Sequence, residues 1–284
     1  MTVLEVIQKS SDFLAKKGVD SPRLQAELLL SHVLQLPRMQ LYLNFERELK
    51  PAESDALRSL VKRRGRREPL QHILGSVSFC GIEISVNRHV LVPRPESELL
   101  AEAGWSFLAG RDPKPSTVLD FGTGSGCIAI VLATKCPAVS VLALDISPAA
   151  TEVAKRNVAR HDLSGRVRCV TGDGLMSLPA GSCFDLIISN PPYIASREIG
   201  MLEPEVRDND PRVALDGGAD GLEFYRRFAS EATPFVNPGG RIMLEFGDGQ
   251  SGPIRGMFEE QKWIVEGVRE DYTRRPRILV ARRE

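Results

Sequence analysis

From residue 117 onward the chain keeps one rhythm: a short apolar run, a stretch with helical spacing, then another run. The runs fall at Thr117 to Asp120, Ser140 to Asp145, Val167 to Val170, Phe184 to Ser189, Arg241 to Phe246, Trp263 to Val268 and Ile278 to Ala281. Short apolar runs rich in β-branched residues read as strands buried on both faces. Strands that alternate with helices imply a parallel, doubly wound sheet, because each helix carries the chain back across it. Pro148 to His161 and Leu222 to Ala232 fill two of the gaps with helix. The expectation is an α/β fold with seven strands. In such sheets ligands bind outside the carboxyl ends of strands, so the residues that follow each run are the ones to read for chemistry.

The first 70 residues follow a different, helical period. Leu4, Ile7, Phe13 and Leu14 recur at that spacing, and Ser21-Pro22 opens a second helix whose apolar face is Leu24, Leu28, Leu29, Val33 and Leu34. A third helix starts near Pro51 and closes in Lys62-Arg63-Arg64-Gly65-Arg66-Arg67. That basic run reads either as a solvated helix end, favoured by the helix dipole, or as a contact for RNA or an acidic partner. Ile73, Val77, Phe79, Ile82, Ile84 and Val86 alternate with small or polar residues, which predicts a β-hairpin. Pro93-Arg94-Pro95-Glu96-Ser97-Glu98 then announces a helix over about 95–109, and Lys114-Pro115-Ser116 is a short linker. The expected organisation is a helical bundle over 1–72, a hairpin linker over 73–92 and the α/β domain over 93–284. The glycine- and Asp-rich stretch from Gly200 to Gly221 reads as one long loop near the site.

Composition excludes several classes. Net formal charge is zero, so the molecule as a whole is not built to bind a polyanion. Apolar runs such as Cys127 to Ala133 are too short to cross a bilayer, and residues 1–10 lack the apolar centre of a signal peptide. The 5 cysteines are scattered with no CxxC pair, which argues against a disulfide framework or a zinc site and for a reducing cytoplasm. No metal is expected.

Val118 to Cys127 reads strand, glycine turn, helix. Gly122, Gly124 and Gly126 let a ligand approach the backbone, with Thr123 and Ser125 between them. The spacing is G-x-G-x-G rather than the dinucleotide G-x-G-x-x-G, and Asp120 stands before it. A carboxylate there repels a pyrophosphate and suits a cationic ligand, which favours S-adenosylmethionine over NAD. Asp145 ends the second strand, where an acidic residue grips ribose hydroxyls; capping the helix at Pro148 is the competing role. Asp173, in Thr171-Gly172-Asp173-Gly174, is either a contact for the adenine amine or a turn residue satisfied by backbone. Asn190-Pro191-Pro192-Tyr193 follows the fourth strand. It offers one carboxamide, carbonyls that keep their acceptors, and an aromatic wall, a set that suits a planar N–H₂ group. Asn190 Oδ1 and the Pro191 carbonyl would take the two hydrogens of the nitrogen that receives a methyl group, with Tyr193 against it and against the sulfonium.

Together the Gly122–Gly126 loop, Asp145, Asn190-Pro191-Pro192-Tyr193, the upstream Pro93 to Glu98 and the downstream Leu215 to Leu222 resemble the HemK-type methyltransferases. The resemblance covers nearly the whole chain. It implies a class I, Rossmann-like, seven-stranded methyltransferase domain behind a small N-terminal helical bundle and a linking hairpin. It implies S-adenosylmethionine as methyl donor, S-adenosylhomocysteine as product, and peptide chain release factors as protein substrates. The modified atom would be the side-chain nitrogen of the glutamine in their Gly-Gly-Gln motif. Asp120, Gly122 to Gly126, Asp145, Asp173 and Asn190 would hold the cofactor, and Asn190 to Tyr193 the glutamine. Some relatives carry an aromatic residue where Gly174 stands here, so adenine stacking has to come from elsewhere. Arg94, Glu96 and Glu98 either shape the substrate pocket or serve as a favourably charged helix start. Two other readings compete. An adenine-N6 nucleic-acid methyltransferase shares the Asn-Pro-Pro-Tyr motif, against which stand the neutral net charge and the lack of a long target-recognition segment. A non-catalytic binding module is the other. The helical bundle suits docking of a protein partner, and a monomer is the simplest expectation.

Overall fold

Threonine and proline start the first helices. The structure, a computed structural model, describes residues 1–111 and 115–283; the linker expected at Lys114 begins outside them. Helix α1 (Val3–Lys16) opens with a capping box, in which Thr2 Oγ1 accepts from Glu5 N and Glu5 Oε2 accepts from Thr2 N. Helix α2 (Pro22–Leu34) and helix α4 (Pro51–Gly65) begin on proline, and the short helix α3 (Arg38–Tyr42) between them was not anticipated. The buried face of α1 is Val3, Val6, Ile7 and Leu14, while Leu4 and Phe13 are exposed. In α2 the fully buried pair is Leu29 and Leu30, and Leu24 is exposed. The helical period was right and its phase was partly wrong. Ile73 lies in helix α5 (Leu70–Leu74) rather than in a hairpin strand.

The chain forms two compact units. The first is residues 1–76 joined by residues 203–209. That joining segment, which carries the one-turn helix α9 (Pro204–Arg207), is what the basic run at the end of α4 binds. Arg64, 4% exposed, donates to Glu205 Oε1 at 2.6 Å and to Gln25 Oε1 at 2.5 Å. Arg67 donates to the same Glu205 oxygen at 2.6 Å, and Arg63 pairs with Glu68. Three of the five cations in the run are therefore spent on carboxylates of their own chain. Lys62 and Arg66 are the exposed members.

The second unit holds the remaining described residues. Its hairpin, β1 (Ser76–Phe79) and β2 (Ile82–Ser85), turns on Cys80 and Gly81, both at positive φ as a two-residue hairpin turn requires. Then follow α6 (Pro95–Ala109), β3 (Ser116–Phe121), α7 (Cys127–Lys135), β4 (Val139–Asp145), α8 (Pro148–Arg160), β5 (Val167–Thr171) and β6 (Phe184–Ser189). The chain closes with α10 (Glu223–Glu231), β7 (Val236–Glu245), α11 (Ser251–Glu260), β8 (Trp263–Glu270) and β9 (Pro276–Arg283). The 7-stranded sheet runs β5-β4-β3-β6-β7-β9-β8. Its first five strands are parallel, and β9 and β8 are antiparallel. The all-parallel expectation fails at that edge because only Asp271 to Arg275 join β8 to β9, too few for a crossover. Helices α6, α7 and α8 bury one face of the sheet, and α10 and α11 bury the other. Residues Cys127 to Ala133 are buried all round, which is why α7 shows no polar stripe. The stretch from 200 to 221 is not one structureless loop. It contains α9 and two 3-10 turns, and Ile194 bridges to Asp216.

Candidate active site

Strand order reverses beside β3, which has β4 on one side and β6 on the other. A crevice opens at such a switch point, outside the strand ends. Here it is a cleft with about 870 Å³ of open space. Its floor is Phe121, Gly122 and Gly124 from the end of β3, Leu144 to Ser147 after β4, Gly172 to Gly174 after β5, and Asn190, Pro191 and Pro192 after β6. His89 to Leu91, Pro211, Val213, Ala214, Phe224 and Arg227 complete the walls.

The glycine loop is sewn to the neighbouring strand. Gly122 N and Thr123 N both donate to Leu144 O, at 2.8 and 3.0 Å. Gly122 and Gly124 sit at φ +71° and +55°, and the space where a Cβ would stand is open at Gly122 and nearly so at Gly124. Gly126 has a packing role instead: at φ +81° its Cβ would lie 3.2 Å from that of Ala154. Thr123 and Ser125 are buried and do not line the cleft.

Asp120, expected to face a cationic ligand, is turned inward. It is 1% exposed, and its Oδ2 accepts from Thr123 Oγ1 at 2.6 Å and from Ala129 N at 3.2 Å. It therefore braces the loop against the first turn of α7. Burial pushes its carboxyl up to about 7, against the pull of those two donors. Asp145 does face the cleft. Its two oxygens each take one backbone N–H, from Gly124 and Ser147, both at 2.8 Å. Each oxygen keeps a further acceptor site. The two roles read from sequence, ribose ligand and brace of the α8 start, are thus compatible. Burial raises its pKa, and the two N–H donors oppose the rise.

Asp173 edges the cleft with its side chain 73% exposed. Beside it, a Cβ on Gly174 would lie 2.1 Å from Arg227 Nη2. The guanidinium occupies the space that a side chain at 174 would need, and it also lies 6.0 Å from the Phe224 ring centroid. Neither Arg227 nor Phe224 carried a signal in the sequence, since both sit on an ordinary amphipathic helix.

Asn190 follows β6, whose last residue anchors it: Ser189 Oγ donates to Phe121 O at 2.7 Å. The Asn190 Nδ2 donates to Ser97 Oγ at 2.9 Å. Pro191 and Pro192 line the cleft beside it. Tyr193, expected as an aromatic wall of the same cleft, is not among the lining residues. Its ring stands 3.0 Å from where a Gly247 Cβ would be, and its carbonyl accepts from Gln250 Nε2 at 2.9 Å. Burial, and next the Glu245 charge, push the Tyr193 hydroxyl up to about 12. Phe121 and Phe224 supply the aromatic faces of the cleft instead.

Of the upstream segment, Arg94 pairs with the buried Asp210 at 2.8 Å and Glu98 accepts from Cys80 N at 2.8 Å. Ser97, given no role in sequence, is buried and does not line the cleft; it meets the site through Asn190. The lining fits an adenosine ligand with a charged tail: open glycines, a carboxylate at the second strand end and aromatic faces.

A family model described as the PrmC N-terminal domain matches residues 5–75, and one described as the methyltransferase small domain matches residues 102–203. A release factor glutamine methyltransferase of Geobacter sulfurreducens is 45% identical over 258 residues, covering 90% of this chain and 88% of its own. One of Chlorobaculum tepidum is 41% identical over 284 residues, covering 98% and 96%. Among solved structures, a methyltransferase from Pyrococcus furiosus matches with a TM-score of 0.51 at 22% identity, over 71% of this chain and 89% of its own, a likeness of fold alone. Identity of 45% and 41% along nearly the whole length places this chain in the release factor glutamine methyltransferase family.

Proposed function

We propose that this chain transfers a methyl group from S-adenosylmethionine to the side-chain amide nitrogen of the glutamine in the Gly-Gly-Gln segment of peptide chain release factors. One observation carries the reading: Asn190 and Pro191 line the same cleft as Gly122, Gly124 and Asp145. An acceptor pair for an N–H₂ group thus stands beside a site suited to the methyl donor. The cofactor, when bound, supplies an electrophilic methyl group. Gly122 and Gly124 admit it to the backbone, and Asp145 accepts from its ribose hydroxyls. Asn190 Oδ1 and the Pro191 carbonyl each accept one hydrogen from the substrate amide. That pairing returns electron density to a nitrogen whose lone pair is delocalised, and aims the lone pair at the methyl. Orientation of this kind is worth up to ~7–11 kcal/mol in ideal cases. As the new N–C bond formed, the sulfonium S–C bond would break to release S-adenosylhomocysteine, and the N–H, made acidic by the transfer, would lose its proton to solvent, so the chain has to supply acceptors rather than a strong base. An already methylated amide leaves one acceptor unpaired, which costs about 1–3 kcal/mol. The test is incubation with labelled cofactor and a release factor, followed by mass spectrometry of the Gly-Gly-Gln peptide. Label on that glutamine is expected, and label only on a nucleic acid offered in parallel contradicts the proposal.

A further inference from the structure

An asparagine can accept from a substrate N–H₂ only in one of its two amide orientations. In the other, a donor meets a donor. What fixes the choice here lies behind Asn190, on the side away from the cleft floor. Its Nδ2 donates to Ser97 Oγ at 2.9 Å. Ser97 sits in the first turn of α6 and is 3% exposed, so its hydroxyl has little access to water. Having accepted from Asn190, that hydroxyl keeps its single proton for the buried Glu245 carboxyl, whose ionised form Ser97 favours. Glu245 ends β7, is 2% exposed, and leaves its Oε2 buried without a partner. Its backbone is pinned from both sides, by pairing with Ile278 of β9 and by Tyr225 Oη, which donates to Glu245 O at 2.7 Å. Once ionised, the Glu245 carboxylate can only accept, so it sets the hydroxyl, and the hydroxyl sets the amide. Turning Asn190 over would need the Ser97 proton for Asn190 Oδ1 and would strip a buried carboxyl of its donor.

We propose that Ser97 and Glu245 are positioning residues that hold the Asn190 carboxamide with Oδ1 toward the substrate nitrogen, a role that rests on the proposed transfer to glutamine. A carboxyl buried at this depth is costly to keep, and its partner chain ends on the reactive motif rather than on a structural ion pair. Burial, then the Glu96 charge, push Glu245 up to about 7, with Arg277 opposing and Tyr193 and Tyr225 also facing it.

The experiment uses the full chain, a release factor as methyl acceptor, and three variants: Ser97→Ala, Ser97→Thr and Glu245→Met. Ser97→Ala is expected to lower kcat about 10- to 100-fold, with KM for the release factor and calorimetric affinity for S-adenosylhomocysteine within about 2-fold of the parent. Ser97→Thr keeps the hydroxyl and is expected to restore kcat to within about 3-fold. Glu245→Met matches the Ser97→Ala loss, and the double variant is no worse than either alone, because both cut one chain. A second readout does not depend on turnover. Exchange protection of the Asn190 side-chain NH₂ in ¹⁵N spectra falls about 10-fold or more in Ser97→Ala and returns in Ser97→Thr. Unchanged protection in Ser97→Ala overturns the inference even where no transfer to glutamine is seen. So does a kcat loss that Ser97→Thr fails to rescue, or one matched by equal loss of cofactor affinity. Transfer to a different acceptor by the parent enzyme overturns the functional proposal alone. The comparison of the two Ser97 variants stands whether or not Glu245→Met folds.

Discussion

Asn190 is where the account concentrates, because one carboxamide is asked to choose the substrate nitrogen and to orient it. Replacing it with alanine removes an acceptor from the cleft and a donor from Ser97, and touches neither the glycine loop nor Asp145. The expected result for Asn190→Ala is loss of transfer by about 100-fold or more, with affinity for S-adenosylhomocysteine within about 3-fold of the parent. Single-turnover kinetics and calorimetry check it; equal loss of both would make Asn190 a cofactor or folding residue. Asn190 was legible in sequence because prolines stop a buried strand there, leaving a polar side chain at a ligand-binding end. Ser97, Glu245 and Arg227 were not. Each is a single polar residue inside a regular element, and only the fold brings residues 97, 190 and 245 together. Tyr193 shows the converse. Its adjacency in the motif suggested a cleft wall, but past the rigid proline pair its ring packs against Gly247.

At the scale of elements, the junction of β3, the glycine loop and α7 is held by a carboxyl that was read as a ligand contact. Adjacency to the glycine loop marked Asp120, but sequence does not say to which side of a strand end a side chain turns. Its inward turn has a consequence for stability. The unfolded carboxyl ionises at the ordinary value of 3.8, whereas the folded one holds its proton up to about 7. Between those values the folded state binds more protons, so this stabilisation is full below the lower value and is lost as pH rises through about 7. Asp120→Asn removes the titration. Relative to the parent, the variant is expected to gain about 1–3 kcal/mol between pH 5 and pH 8, read from urea midpoints. Parallel pH curves for the two proteins would contradict this. The strands themselves were well marked: Phe184 to Ser189 was found at its expected bounds. The antiparallel edge was missed, because apolar runs reveal strands but not their direction.

At the scale of the whole chain, the least foreseeable feature is the return of residues 203–209 to the N-terminal helices. Arg64 and Glu205 are separated by 141 positions, and neither charge run names the other in sequence. The buried arginine makes this contact worth testing. Glu205→Ala leaves Arg64 with Gln25 and the Glu68 carbonyl, and Arg67 with Glu203. It is expected to destabilise the protein by about 1–3 kcal/mol and to speed proteolysis within 203–209, where Glu205→Gln costs less. An unchanged urea midpoint would show that the pairs contribute nothing net. The basic run is thereby partly accounted for within the chain. Among the described residues no helix is long and apolar enough to cross a membrane. The central claim is that the Asn190 end of the cleft presents a glutamine amide to the methyl donor. The most direct measurement supplies isotopically labelled S-adenosylmethionine to the parent chain and to Asn190→Ala, with a release factor and a duplex DNA as competing acceptors. The account predicts label on the side-chain nitrogen of the Gly-Gly-Gln glutamine with the parent and none with the variant. Label on adenine, or label on the glutamine undiminished in Asn190→Ala, would contradict it.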